Sequence, residues 1–171
     1  MFLEWFMEML EEEEYKQDKR LLLNLDKLRN RTNVSQRRYN CGGYALNTFN
    51  WYRPSDDEDF DYGEFEMSEE EMAIQTQKCV DYMLKQFDGL LRVIKGTWEL
   101  KENEYMIAFK IDGNGQNDFH YCKRAKNGHW YHKMGQCPIM RIKKEKVFKD
   151  KWVFDEITYY GKTVFFAMKE N

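Results

Sequence analysis

The sequence predicts an α+β domain, because helical and strand-like periodicities occupy different halves of the chain. Up to residue 89 the apolar residues recur at helical spacing, whereas from residue 90 they alternate with polar ones. Helices followed by strands favour an α+β arrangement over an alternating α/β one. With 171 residues, of which 16% are aromatic, the chain is long enough to bury a core as one domain spanning 1–171.

Three helices are expected before residue 90. Apolar residues spaced three and four apart indicate a helix over 2–28, so that residues 1–38 form an N-terminal helical extension of a core at 39–171. Asn40 is a candidate N-cap for a short helix that runs to Phe49. Ser68 and Glu71 fit a capping box that opens a central helix over 68–86, after an acidic loop at 56–67.

The second half of the chain reads as an antiparallel sheet. Alternation of apolar and polar residues predicts strands at 91–94, 104–111, 117–125, 129–134 and 163–169, with a further short strand at 152–158. The glycine- and asparagine-containing tracts at 113–115 and 126–128 are predicted turns between them.

Charge and composition exclude several functional classes. The net charge of −3 is not typical of a nucleic-acid binder, although residues 56–71 carry ten acids and residues 123–151 carry ten Lys or Arg against two acids. We read both runs as solvated surface. No apolar run is long enough to cross a membrane, and the first residues do not resemble a secretory signal. We therefore expect a cytoplasmic protein whose four cysteines are thiols, with no cofactor.

Cys41 is the candidate nucleophile. It begins the predicted helix after Asn40, and a helix N-terminus stabilises a thiolate and offers N–H groups to an oxyanion. Gly42 and Gly43 would let a substrate backbone approach closely, with Tyr44 and Trp130 lining the same groove. The alternative is that Cys41 is a small buried side chain and that the glycines allow tight packing.

All three histidines fall in one predicted hairpin, and the length of its turn decides which of them meet. A two-residue Asn127-Gly128 turn would place His120 and His129 on one face. A three-residue turn at 126–128 would instead pair position 122 with His132 and make His120 and His132 diagonal neighbours. We favour the three-residue turn, because Trp130 and His132 then lie beside positions 124 and 122 on a face that we expect to be polar.

These residues supply the parts of a Cys-His-His triad. Cys41 would attack an amide carbonyl, His120 would act as general base and then as general acid, and His132 would orient the His120 imidazole. Asn40 or the Cys41 N–H would bind the oxyanion, and Asp118 is a candidate supporting group on the strand of His120.

The order of a helix-borne Cys, a His on a strand and a polar residue on the next strand resembles the papain-like cysteine hydrolases. The branch that looks most similar is the NlpC-type peptidases and amidases, together with small bacterial and phage proteins that share a Cys-x-x-Tyr-Ala motif and a Trp-x-His-Lys-x-Gly hairpin. The resemblance covers about 41–135. It implies a papain-like fold, a peptide or amide substrate and an intracellular or phage-borne role in hydrolysis or acyl transfer, in the host cytoplasm if the protein is phage-encoded.

The sequence is also compatible with two other functions. Five potential zinc ligands lie within eighteen residues, although their spacing is not that of common zinc sites; they are His120, Cys122, His129, His132 and Cys137. Alternatively, the chain is a non-catalytic interaction protein with a papain-like fold that binds a host protein, with the acidic segment as one candidate contact.

Overall fold

A computed structural model describes residues 34–56, 66–113, 118–154 and 157–170, and within these ranges the chain has the α+β architecture that the sequence predicts. The helices are α1 (Cys41–Ala45), α2 (Glu69–Gln86) and α3 (Lys144–Val147), and two 3-10 helices cover Val34–Arg38 and Thr97–Glu99. The strands are β1 (Leu91–Ile94), β2 (Glu104–Ile111), β3 (Phe119–Arg124), β4 (Trp130–Lys133), β5 (Ile139–Ile142), β6 (Trp152–Phe154), β7 (Ile157–Tyr159) and β8 (Val164–Lys169).

Six of the strands form one antiparallel sheet in the order β1-β8-β2-β3-β4-β5, and β6 and β7 form a separate hairpin. The central strand β2 is buried along almost its whole length, because both faces of the sheet are covered at this strand. In the described part of the chain, no helix has the length and apolar character needed to span a bilayer.

The two faces of the sheet carry separate hydrophobic cores. We call the face that points toward α1 and α2 the helix face; Phe109, Phe119 and Tyr121 lie on it. We call the other face the hairpin face, because the β6-β7 hairpin and α3 cover it; Ala108 and Cys122 lie there. Since successive residues of a strand point to opposite faces, adjacent residues of β3 belong to different cores.

The predicted elements agree with most of the observed ones. The bounds of β1 and β2 are confirmed, β3, β4 and β8 begin and end within two residues of the prediction, and α2 has the expected capping box between Ser68 and Glu71. The helix after Asn40 ends at Ala45 rather than Phe49, because the chain takes up positive φ at Asn47 and Phe49. Strand β5 and helix α3 were not predicted, and the strand expected at 152–158 is the β6-β7 hairpin.

Two of the predicted elements fall on parts of the chain that the structure does not describe. The helix expected at 2–28 and most of the acidic loop at 56–67 lie outside the described residues.

The turn between β3 and β4 is the three-residue one. The N–H of Ala125 donates to the carbonyl of His129 at 2.9 Å, and Gly128 has a φ of 86°. Cys122 consequently pairs with His132, as that turn requires. The expectation that the face carrying Trp130 and His132 is polar is wrong, however. That face is buried beneath aromatic side chains.

Candidate functional site

The segment that begins α1 is fixed by the side chain of Asn40. Its Oδ1 accepts hydrogen bonds from the N–H groups of Gly43 and Tyr52, at 3.0 and 3.1 Å, and its Nδ2 donates to the carbonyl of Tyr52 at 2.8 Å. Asn40 is therefore the N-cap that the sequence predicts, and it also ties the helix to the chain twelve residues later. With both ends of its amide engaged, Asn40 does not extend toward a substrate oxyanion.

A loop that displays two large aromatic residues follows α1; we call residues 46–53 the aromatic loop. Phe49 is 58% exposed and Trp51 is 54% exposed. The loop turns back tightly on the helix, because the carbonyl of Gly43 accepts the N–H of Phe49 at 3.1 Å. A Cβ at Gly43 would lie 2.0 Å from the Asn50 carbonyl oxygen, so only glycine permits this approach.

Cys41 lies in the core of the helix face. Its side chain is 6% exposed, and its Sγ donates to the carbonyl of Phe119 at 3.9 Å. Burial, reinforced by the nearby Asp118 carboxylate, raises the pKa of the Cys41 thiol to about 12. The N–H of Gly42, in the first turn of α1, favours the thiolate as expected, but burial of the thiol outweighs it.

His120 and His132 do meet, as predicted. Nε2 of His120 and Nδ1 of His132 are 2.9 Å apart, and both rings are buried. Phe154 packs against both imidazoles, with centroid separations of 4.8 and 4.5 Å, and Tyr159 lies 5.4 Å from the ring of His120. Burial and the neighbouring His132 lower the pKa of His120 well below its usual value, which favours the neutral imidazole, and the tautomer decides which of the two nitrogens donates the hydrogen bond.

The predicted triad does not form, because its thiol and its imidazoles belong to opposite faces of the sheet. Cys41 contacts β3 from the helix face, at Phe119. His120 follows Phe119 directly and therefore points to the hairpin face, where it packs against the β6-β7 hairpin. In this arrangement His120 does not serve as the base for Cys41, nor does His132 orient it for that purpose.

Asp118 lies just before β3 and holds the hairpin to the sheet. Its Oδ1 accepts the N–H of Phe119, and its Oδ2 accepts the hydroxyl of Tyr159, both at 2.8 Å. Burial raises the pKa of Asp118 despite these two hydrogen bonds. Its contacts are those of a structural anchor, and neither of them reaches His120.

The predicted substrate groove is also wrong. Gly42 and Gly43 are buried, and a Cβ on Gly42 would lie 3.0 Å from the Tyr52 ring, so the glycines allow close packing instead of substrate approach. Trp130 is buried in the core of the hairpin face, on the other side of the sheet from both glycines. Tyr44 is half-buried beside Lys123, whose ammonium lies 4.9 Å from its ring.

The five potential zinc ligands do not converge. His129 is exposed at the turn, whereas His132 is buried against His120. Cys122 is buried on the hairpin face, and Cys137 is buried in the chain between β4 and β5. No group of three or more His, Cys, Asp or Glu side chains is arranged to hold a metal ion among the residues that the structure covers. This arrangement gives no support to a zinc site.

Sequence reasoning missed three lysines whose ammonium groups are buried or half-buried against backbone carbonyls. Lys110 donates to the carbonyls of Asp150 and Gly161, at 2.8 and 2.7 Å, and Lys133 donates to those of Tyr39 and Gly135. Burial lowers the pKa of both lysines to about 8.

Lys123 is the third lysine; it donates to the carbonyl of Tyr44 at 3.5 Å and to Oδ1 of Asn47 at 2.6 Å, which joins β3 to the aromatic loop. A signal for such lysines was present, since Lys110 interrupts the apolar run from Tyr105 to Ile111 in a predicted strand.

Comparison with known proteins adds one finding. A family model described as a domain of unknown function, DUF7689, matches residues 30–168. Searches of the curated proteins and of the solved structures returned no match. The match covers α1, both faces of the sheet and the β6-β7 hairpin, and it leaves out the first 29 residues.

Proposed function

We propose that this chain, which belongs to the DUF7689 family, is a non-catalytic interaction protein that binds a partner protein through its aromatic loop. The observation that carries the proposal is the separation of Cys41 from the His120–His132 pair by the sheet itself. Each group is buried in its own core and has structural contacts there.

The state of the thiol argues against nucleophilic catalysis. A thiol whose pKa burial raises to about 12 is almost entirely un-ionised at pH 7, and the thiolate is the attacking species. A catalytic cysteine overcomes this by having a base within hydrogen-bonding distance. Around Cys41 the Asp118 carboxylate opposes ionisation, while the N–H groups of Tyr121 and Gly42 and the more weakly acting Lys133 favour the thiolate without outweighing burial. None of the groups that favour the thiolate is a general base.

The aromatic loop has the properties of a binding hot spot. Trp and Tyr dominate the energetics of protein interfaces, and Phe49 and Trp51 together expose a large apolar surface. Their backbone is held in advance by Gly43 and Asn40, so little conformational entropy is lost when a partner binds. The positive φ of Phe49, a conformation unfavourable for an aromatic residue, is maintained by these contacts.

The papain-like architecture remains part of this proposal. A Cys-bearing helix packed on an antiparallel sheet is common to the papain-like hydrolases and to this chain, which supports relating the two. The orientation of His120 away from Cys41 supports a relative that keeps the scaffold and lacks the thiol chemistry. Peptidase or amidase activity would require the imidazole to leave the hairpin face.

The first test measures thiol reactivity. At pH 7 we expect iodoacetamide to label Cys41 at least tenfold more slowly than it labels free cysteine, because the thiol is buried and un-ionised. Cys79, which is buried on α2, is the internal comparison. Labelling of Cys41 faster than free cysteine, with a rate that falls in a His120→Gln variant, would refute the non-catalytic proposal.

The second test locates the binding surface. A photo-crosslinking amino acid replaces Trp51 in one variant and Trp98, which is also exposed, in a control. In cells that naturally produce the protein, we expect a defined crosslinked partner from position 51 and not from position 98. The same partner should be retained by a Cys41→Ser variant and lost with Phe49→Ala. Crosslinking that is equal at both positions, or capture that depends on Cys41, would contradict the proposal.

A further inference from the structure

A second surface combines lysines with exposed aromatic rings, and the proposed function does not use it. We call it the lysine-aromatic surface; it covers α3, the chain that links α3 to β6, and the residues after β7. Among its described residues, five exposed lysines and the half-buried Lys146 stand against two exposed acids, Glu145 and Asp150. The lysines are Lys143, Lys144, Lys146, Lys149, Lys151 and Lys162.

The structure adds what the sequence could not show, namely that aromatic rings lie beside these lysines. Phe148 is 45% exposed, and the ammonium of Lys144 lies 6.0 Å from its ring centroid. Tyr160 is 39% exposed, and the ammonium of Lys151 lies 5.0 Å from its ring centroid. The same pairing of an exposed ring with an adjacent cation therefore occurs twice on this surface.

The two rings are mounted on a fixed part of the fold. Phe148 stacks on Phe165 of β8 with a centroid separation of 5.2 Å. The indole N–H of Trp152 donates to the carbonyl of Val147 at 3.0 Å, and the ammonium of Lys110 donates to the carbonyl of Asp150 at 2.8 Å. The residues between α3 and β6 are thus tied to the sheet and to the hairpin, so the surface is formed before any ligand arrives.

We propose that the lysine-aromatic surface binds single-stranded nucleic acid without sequence preference. Proteins of this kind combine aromatic side chains, on which bases stack, with cations that track the phosphates. One ring and one lysine per contact match a polymer that carries one base and one phosphate in each unit. An acidic peptide would use the lysines, but it carries a ring only where its sequence supplies one, whereas nucleic acid carries a base in every unit, so the repeated pairing favours nucleic acid over an acidic protein.

The test is fluorescence anisotropy of a labelled fifteen-nucleotide oligothymidine titrated with the full chain. With about four phosphates contacted, log K should fall with log salt at a slope of about −3, which is about a 50-fold loss of affinity between 50 and 200 mM salt. Lys144→Glu combined with Lys151→Glu should weaken binding at least tenfold. Tyr160→Ala should weaken it about fivefold or more, because a stacked base is lost.

The control has the same change in net charge at another place. Lys78 and Lys85 are exposed residues of α2, which packs on the opposite face of the sheet. The double variant Lys78→Glu, Lys85→Glu should leave the affinity for the oligonucleotide within twofold of the wild type. Four results would overturn the proposal. The first is an equal loss of oligonucleotide affinity in the two double variants, and the second is no binding at 50 mM salt with 100 µM protein. The third and fourth are tighter binding of polyglutamate, or of phosphatidylserine vesicles, than of the oligonucleotide.

Discussion

The buried His120–His132 pair predicts a specific loss of stability in acid. The pKa of His120 is lowered in the folded protein by burial and by His132, whereas the unfolded chain has the ordinary value of 6.5. The unfolded state consequently binds more protons below pH 6.5, and folding stability falls as the pH drops. Because the folded-state pKa of His120 lies well below its unfolded value, the loss of unfolding free energy between pH 7 and pH 5 approaches that of a group protonated only in the unfolded chain, which is about 2 kcal/mol.

The groups that surround His120 reinforce this direction. Lys146, whose ammonium lies 4.3 Å from the Phe154 ring, lowers the pKa of His120 further. Lys110 reaches the same face from β2, and Tyr159 and Trp152 cover the imidazole from the hairpin. A proton added to the pair would therefore place a charge among cations and aromatic rings, away from water.

Urea unfolding at pH 7 and at pH 5 measures this effect. The quantity compared is the change in unfolding free energy between the two pH values, in the wild type and in His120→Gln. The difference reports His120 together with its hydrogen bond to His132, because the groups elsewhere keep their surroundings in both proteins. His129→Gln is the control; it removes an exposed imidazole and should keep the wild-type pH dependence. The reasoning is refuted if His120→Gln loses as much stability in acid as the wild type does.

Two further predictions concern the polar groups that hold the loops. Lys110→Met should lower the free energy of unfolding by about 2 to 4 kcal/mol in a urea titration, because two carbonyls lose a buried charged donor. The control Lys78→Met, at an exposed position, should change it by less than about 0.5 kcal/mol in the same titration. Equal effects would show that the Lys110 hydrogen bonds contribute nothing. Asn40→Ala should lower the free energy of unfolding by about 2 kcal/mol, measured by thermal or urea unfolding, because the cap of α1 and both hydrogen bonds to Tyr52 are lost. A decrease below about 0.5 kcal/mol would contradict that role.

Local signals in the sequence were sufficient for most of the fold. The capping box at Ser68 and Glu71, the N-cap at Asn40 and the turn at 126–128 each depend on side chains within four residues of one another. Such signals act before any tertiary contact forms, so they can be read without knowing the fold. The pairing of His120 with His132 followed from the turn alone.

The relation of Cys41 to the histidines could not be read in the same way. It depends on which face of β3 receives α1, and this choice is made by packing across the whole sheet rather than by any local pattern. Phe119 and Tyr121 pack with α1 in the core on one face, while the aromatic residues of the β6-β7 hairpin cover the other face. The expectation of a polar face at His132 failed for the same reason, since the residues that cover it come from β6 and β7.

The alternation of β3 between two cores has a consequence for the evolution of related chains. A bulge that inserted one residue at the start of β3 would rotate every later side chain of the strand by half a turn, and the imidazole now at position 120 would face α1. Two chains with the same order of Cys and His can thus differ, by a single added residue, in whether the imidazole faces the thiol. Among relatives of this protein, the length of the segment that leads into β3 is therefore more informative about chemistry than the presence of the three residues themselves.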